Sequence, residues 1–541
     1  MSRSFLRVPH LTIKAFNLYV IIRLGSRPNV GGQDDPSQQL RRALTRIIEA
    51  GYQVEPETLA VMRKLAAKGL LEEAVEGAME KAIALEQRPL FLPRSFLEPR
   101  EPEPEPTPEG RWESTSTQPE VYAKQVEGRI EILEDPGKEA GATRNTRDLL
   151  EYFRDRFSKI SRILRQRSDA RDAITLEEAL KAPPRTRNRI ICIVTEKRER
   201  PRSLALTVED MESQATLIVP SSSDRSVLEK ARSLFLDQVA CVEVSRTQGE
   251  TLIAHDFLNP DIPERPVRGS EEELYVALLS DLHIGSQKFL PNSFDKFLSW
   301  LRGEFGDEKI RRIASRVKYL VIAGDLVDGI GVYPGQEREL EIGDIHQQYS
   351  EAAKVLLDVP EYIHIILIPG NHDATAQALP QPALSERYAG DLLDHGNVTS
   401  LGNPATVRLN GVETLIYHGR SLDDVVWTVP GVTYQNLDES ITMAMRSLVR
   451  VRHLAPIYGA RTPIIPQGQD HLVIERPPDI LHCGHVHVAG YELYRGTLLL
   501  NSGTWQAQTE YQERMGLVPT PGIATIVNLK NLAVVPLKFT S

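Results

Sequence analysis

Carboxylate, imidazole and carboxamide side chains recur in five short stretches. These are Asp281-Leu282-His283, Gly324-Asp325-Leu326-Val327-Asp328, Gly370-Asn371-His372-Asp373, Tyr417-His418-Gly419 and Gly484-His485-Val486-His487. Each opens a turn where an apolar run ends; the first follows Leu274-Tyr-Val-Ala-Leu-Leu279. In an α/β sheet, side chains distant in sequence converge at the C-terminal strand edge. Asp, His and Asn are also ligands for divalent metals. The set predicts a binuclear metal site acting on a phosphoester.

Two cations about 3.5–4 Å apart clamp both oxygens of an in-line phosphoryl displacement and activate water. Such a pair needs a bridging carboxylate, and Asp325 is the candidate. Asp281 and His283, at the end of one strand, are expected on the first metal. Asn371 and His418 offer neutral ligands from two other strand ends, and His485 and His487 each face a different metal. His372 is placed as general acid toward the leaving oxygen, with Asp373 fixing its ring. Asp328 is expected to hold the Gly324–Asp325 turn or an outer hydrogen bond rather than a metal.

Taken singly, an Asp-x-His or a Gly-Asn-His-Asp is more often a turn than a ligand set. Five such motifs, each after a strand, are hard to obtain by accident. They take five of the thirteen histidines. His482 is expected in a satisfied core role, and His346, His364, His395, His453 and His471 as structural or exposed.

These turns need an α/β scaffold, and from about Glu271 onward β-type and helical runs alternate accordingly. Before it, five short strands lie between Thr186 and Asp261, with a helical segment Ser226–Leu236 after the third. That is the order of an OB-fold barrel. Such barrels bind single strands through aromatic platforms, which these strands lack, so a structural or subunit-docking role is favoured. Arg147–Arg167 reads as an amphipathic packing helix with a solvated basic face, and secondarily as a nucleic-acid or partner helix. Glu98–Glu109 alternates proline with glutamate and cannot build a core. A helical module is expected from about Asp34 to Leu85, with Leu40, Ala43, Leu44, Ile47 and Ile48 on one face. The boundaries are therefore 1–95 (helical module), 96–145 (flexible linker), 146–185 (helical connector), 186–265 (OB-fold) and 266–541 (phosphoesterase domain).

At 541 residues the chain is long enough for several domains. A net charge of -10 gives no global basic field, so nucleic acid would need a local basic channel, a metal pair or a partner chain. Three scattered cysteines without a C-x-x-C pair argue against a disulfide framework or zinc ribbon and for a reducing, cytoplasmic compartment. The apolar run Ala15–Leu24 is interrupted by Asn17 and Arg23, too short to span a bilayer.

The motif order resembles the calcineurin-like metallophosphoesterase superfamily. The resemblance implies a β-sandwich flanked by helices and maps the family's ligands onto Asp281, His283, Asp325, Asn371, His418, His485 and His487, with His372 as catalytic histidine. Val332-Tyr-Pro-Gly335, Tyr417-His-Gly-Arg-Ser-Leu-Asp-Asp424, Arg452-His-Leu-Ala-Pro456, Tyr494-Arg-Gly-Thr497 and Asn501-Ser-Gly-Thr-Trp-Gln506 are similar to the small-subunit family of archaeal D-family DNA polymerases. The similarity runs from about Thr186 to the C-terminus. It implies a 3′-5′ proofreading exonuclease on single-stranded or mispaired DNA ends, using two divalent ions, Mn2+ before Mg2+. A separate large subunit would carry polymerisation, and DNA and a sliding clamp would be further partners. The alternatives are a catalytically silent architectural homologue of the same family and a stand-alone repair nuclease or phosphatase.

Overall fold

The structure is a computed structural model describing residues 36–50, 56–67, 71–83, 121–139, 146–249 and 251–540. The Ala15–Leu24 run and the proline–glutamate tract lie outside the described residues. The chain divides into two compact units, 1–116 and 117–541.

In the first unit, helices α1 (Pro36–Glu49), α2 (Pro56–Ala67) and α3 (Leu71–Ile83) lie within the stretch read as helical. Leu40, Ala43, Leu44 and Ile47 of α1 close a small core with Met62 and Leu65 of α2 and Leu71, Val75 and Ala78 of α3. Arg46 reaches Glu76 across the surface at 3.2 Å.

The second unit opens inside the stretch expected as linker. A helical turn, Tyr122–Gln125, precedes strand β1 (Ile130–Glu134). β1 lies antiparallel to the strand Ala405–Leu409, with Ile130 opposite Leu409. Part of the 96–145 linker assignment is thereby corrected. The polar composition read as linker is that of an edge strand, which leaves Ile132 exposed. Helix α4 (Thr146–Arg165) then buries Ile160 and Leu164 against barrel residues Ile191, Ile193 and Cys241. The packing role holds, but the basic face is not wholly solvated: Arg156 is fully buried. Its guanidinium donates to Asp470 Oδ2 at 2.7 Å, to the carbonyls of Pro456 and Asp237, and to Tyr152 Oη.

Strands β2 (Arg187–Arg200), β3 (Ser203–Glu209), β4 (Gln214–Pro220), β5 (Val239–Arg246) and β6 (Leu252–Leu258) close a barrel in the order β2-β3-β4-β6-β5. The helix Arg225–Arg232 falls between β4 and β5, as the sequence order predicts. Leu206, Val208, Leu217, Val219, Val242 and Val244 alternate inward to fill it.

The remainder is a four-layer sandwich. Strands β7 (Tyr275–Leu279), β8 (Val317–Ala323), β9 (His364–Ile368), β10 (Val398–Ser400), β11 (Ala405–Leu409), β12 (Val412–Ile416), β13 (Ile480–Cys483), β14 (Gly490–Tyr494), β15 (Thr497–Asn501), β16 (Ile523–Asn528) and β17 (Val534–Lys538) form its two central layers. One six-stranded sheet runs β10-β9-β8-β7-β16-β17, and the other runs β1-β11-β12-β13-β15-β14. Val276 and Leu278 of β7 face Val407, Ile416 and Leu500 across the inter-sheet core. Ala277 and Leu279, one residue out of phase, pack against the helices Pro291–Leu301 and Ile345–Leu356. On the far side, the helices Leu422–Thr428 and Leu437–Val451 cover the second sheet. Burial on both faces makes β7 and the Tyr319–Ala323 stretch of β8 continuous apolar runs, the pattern of parallel strands, with Lys318 of β8 the buried exception. No described helix is long and apolar enough to cross a membrane.

Candidate metal centre

Parallel pairing of β7, β8 and β9, and of β12 and β13, puts all five motif turns at the C-terminal ends of parallel strands. Asp281 and His283 follow β7, Asp325 follows β8, Asn371 and His372 follow β9, His418 follows β12, and His485 and His487 follow β13. The turns are sharp. Asp281, His283, Asp325, His485 and His487 have φ of +55°, +52°, +52°, +71° and +60°. Non-glycine residues rarely hold this conformation, at a cost of about 1–3 kcal/mol each, and such residues cluster at functional sites. Glycines let the turns approach one another: a Cβ on Gly370 would collide with the Asp325 carboxylate, and one on Gly484 would lie 2.5 Å from Asp281 Oδ2.

The candidates form three overlapping groups whose ligand atoms lie within 4.8 Å of one another. Asp281, His283 and His487 make the first, Asp325, His418 and His485 the second, and His283, Asp325 and His372 the third. Asp325 lies between the ends, with Oδ2 3.4 Å from His418 Nε2 and 3.8 Å from His283 Nε2. Asp281 Oδ1 is 3.5 Å from His487 Nε2. Asn371 Oδ1 meets His418 Nε2 at 3.0 Å. Asp325 falls in both the second and the third group, and His485 and His487 fall in different groups.

Outer contacts aim the rings. His418 Nδ1 donates to the Ala323 carbonyl at 2.8 Å, and His372 Nδ1 to the Asp328 carbonyl at 2.7 Å. His283 Nδ1 faces Asp328 Oδ1 at 3.0 Å, the outer role expected of Asp328. Fixing Nδ1 of these rings directs Nε2 into the cluster.

Two observations fit the donor set to cations. Asp281 Oδ1 is buried without a hydrogen-bond partner, an arrangement that is costly unless something else neutralises it. Burial disfavours charge on His418, but Asp325 and Asp281 outweigh it and raise the imidazole to about 9. Burial likewise pushes the Asp325 carboxyl up, yet His418, His372 and His283 hold it well below its ordinary range. The cluster carries surplus negative charge that draws in positive charge.

Asp373 does not do what adjacency in sequence suggests. Its carboxylate accepts from the backbone N–H groups of Gly370, Leu326 and Val327 and from Tyr349 Oη, and His372's ring is held by the Asp328 carbonyl instead. Asp373 thus ties the β8 and β9 turns together. Burial and the nearby Asp325 raise its carboxyl to about 6. His482 is a core residue bonded to Ser502 Oγ at 2.8 Å.

Sequence reasoning passes over Asp423, whose Oδ2 meets His485 Nε2 at 3.1 Å and whose Oδ1 accepts from Tyr434 Oη at 2.7 Å. It also misses Gln512, whose amide donates to His487 Nδ1 at 2.7 Å. Asp423 stands five residues past His418 in the Tyr417–Asp424 stretch, which is the available signal. Gln512 carries none. The cluster floors a cavity of about 370 Å³ that Tyr333, Arg420, Tyr434, Arg461 and Tyr511 also line.

Facing mixed sheets capped by helices thus carry a His–Asp–Asn cluster at their parallel strand ends. Residues 276–489 match the family of the B subunits of DNA polymerases alpha and epsilon. The DNA polymerase II small subunit of Methanocaldococcus jannaschii is 39% identical over 421 residues, covering 77% of this chain and 70% of that protein. Its counterpart from Archaeoglobus fulgidus is 42% identical over 395 residues, with coverage of 73% and 77%. That of Methanothermobacter thermautotrophicus is 39% identical over 399 residues, with coverage of 74% and 81%. A solved archaeal phosphodiesterase matches 49% of this chain and 99% of its own at 14% identity, with a TM-score of 0.24. The chain belongs to the family of archaeal DNA polymerase II small subunits.

Proposed function

We propose that the chain is the nuclease component of a heteromeric archaeal DNA polymerase, a 3′-5′ exonuclease acting on single-stranded or mispaired DNA ends. Asp281, His283 and His487 would hold one divalent cation, Asn371, His418 and His485 a second, and Asp325 both; Mn2+ and Mg2+ suit the site. Bound there, the cations supply Lewis acidity at the phosphate and lower the pKa of water. The supporting observation is the convergence of those seven side chains from five strand ends on one cluster, five of them (His283, Asp325, Asn371, His485 and His487) lining the cavity, with an orphaned buried oxygen on Asp281.

His372 is the proton donor to the leaving oxygen. Its Nδ1–H is committed to the Asp328 carbonyl, its backbone N–H donates to Asp325 Oδ1 at 2.8 Å, and its ring lines the cavity. Nε2 is therefore the atom left to give the proton. Asp373 acts beneath it by holding the turn.

A large catalytic subunit, DNA and a sliding clamp are the partners this reading implies, in the cytoplasm. The closed five-stranded barrel, with a helix after its third strand, supports an OB-fold at 186–265 followed by a phosphoesterase domain at 266–541. The experiment is degradation of a 3′-labelled single strand with and without Mn2+, with Asn371→Ala and His372→Ala as controls. Metal-dependent cleavage lost in both variants is the expected result. Its absence in the wild-type complex leaves only the architectural role.

A further inference from the structure

Two guanidiniums on the cavity rim are without acidic partners. Among the described residues, neither the Arg420 nor the Arg461 guanidinium has an ion-pair partner within 4.0 Å, although the Arg461 backbone N–H donates to Asp424 Oδ1 at 3.0 Å and its charge is felt by Asp423; Arg446 and Arg514, by contrast, are paired with Glu492 and Glu510. Arg420 spends Nη1 on Gln377, at 2.8 Å to its carbonyl and 3.2 Å to Oε1. The Arg461 guanidinium lies over the Trp427 ring, 4.7 Å from its centroid. Unpaired guanidiniums beside a metal cluster suit an anionic ligand of several phosphates.

Large aromatic rings are exposed in the same place. Trp427 is 64% exposed and Tyr511 is 61% exposed, on the helices Leu422–Thr428 and Glu510–Met515. Both helices supply groups to the cluster, Asp423 toward His485 and Gln512 toward His487. The barrel contrasts with this rim: Phe257 is the one Phe, Tyr or Trp of β2–β6, and it is buried. Stacking capacity for unpaired bases is therefore at the cavity mouth and not on the barrel.

We infer that Arg420, Arg461, Trp427 and Tyr511 form a seat for the last nucleotides of a single strand, the guanidiniums taking phosphates and the rings taking bases. The seat rests on the phosphoesterase reading and adds to it a preference for unpaired nucleic acid over small phosphodiesters. A duplex end keeps every base but the terminal pair stacked on both faces, so it cannot offer successive separated bases to the two rings.

The test uses the full chain in complex with its large subunit and the variants Trp427→Ala, Tyr511→Ala and Arg461→Gln, with Trp427→Phe and Tyr511→Phe as rescues. kcat/KM is measured in Mn2+ on a ten-nucleotide single strand and on bis(p-nitrophenyl) phosphate, which has no base. Strand affinity is read by fluorescence anisotropy in Ca2+. The ratio of the two kcat/KM values should fall about 10- to 100-fold in the Ala variants and recover in the Phe variants, with parallel losses in affinity. A ratio and an affinity that stay at wild-type values overturn the seat. So does equal loss on both substrates that Phe does not rescue, because it marks a structural role. A wild type that cleaves neither substrate defeats the phosphoesterase reading, while the anisotropy series still decides the seat.

Discussion

His283 and His487 point their Nε2 atoms at one another across 3.0 Å. Each ring is fixed from behind, His283 by the Asp328 carboxylate and His487 by the Gln512 amide. The senses differ: His283 donates its Nδ1–H to Asp328 and keeps a bare Nε2, whereas His487 accepts at Nδ1 and carries its proton on Nε2, which points at His283, with the bare Asp281 Oδ1 beside them.

The anchor behind His283 is testable apart from the ligands. Asp328 is buried and also accepts from the amides of Gln336 and Gln506. Asp328→Asn should weaken Mn2+ binding about 10- to 100-fold while the chain still folds. Calorimetric titration with Mn2+ checks this, and unchanged affinity would show that the contact is incidental.

Removing His372 separates proton transfer from ion binding. His372→Ala should lower kcat on single-stranded DNA by about 10²- to 10⁴-fold. Mn2+ affinity should change little. A comparable drop in both would make His372 a ligand rather than a proton donor.

Asp373 is expected to act on stability. Asp373→Ala strands the N–H groups of Gly370, Leu326 and Val327, at about 1–3 kcal/mol for each buried donor left unmet. Thermal melting should fall by many degrees, with activity following the folded fraction. A variant that melts like wild type but has lost its activity would reinstate a direct role toward His372.

Acid sensitivity should draw on two buried histidines, His482, whose imidazole is lowered by burial to about 3, and His453, away from the cavity. Its Nδ1 accepts from the Ala455 N–H at 3.0 Å and its Nε2 faces Asp470 Oδ2 at 2.9 Å, which fixes the neutral ring. Burial, then the charge of Arg156, lowers its imidazole to about 4 from the usual 6.5. Between those values the unfolded chain binds a proton that the folded chain refuses. This contribution to stability is thus complete above about pH 6.5 and shrinks as pH falls toward 4, by about 3 kcal/mol in all. Asp470, held below the usual carboxylate range, adds a further loss once the pH drops beneath about 4. His453→Asn should melt lower at pH 7 yet show a flatter pH profile from 7 to 4.5. An unchanged slope would assign the acid response to other groups.

The core strands and the clustering of the motif turns are legible because burial on both sheet faces writes apolar runs, and each run ends at its motif. Asp423 and Gln512 are not, since they reach the cluster from helices that no strand-end pattern marks. β1 is hidden by the polarity that an edge position allows. Asp373 shows the limit of adjacency: the turn that aims His372 into the cavity sends the next side chain back toward the β8 loop. Arg156 reads as one of a helix's basic residues because its acidic partner lies 314 positions away.

That buried arginine has a mechanical consequence. It joins α4, the barrel through Asp237 and the sandwich through Asp470 and Pro456 in one desolvated knot, and breaking such a pair costs about 3–5 kcal/mol. A protein that grips the barrel therefore cannot swivel it freely against the sandwich. Whatever docks there steers the mouth of the cavity as a handle steers a blade.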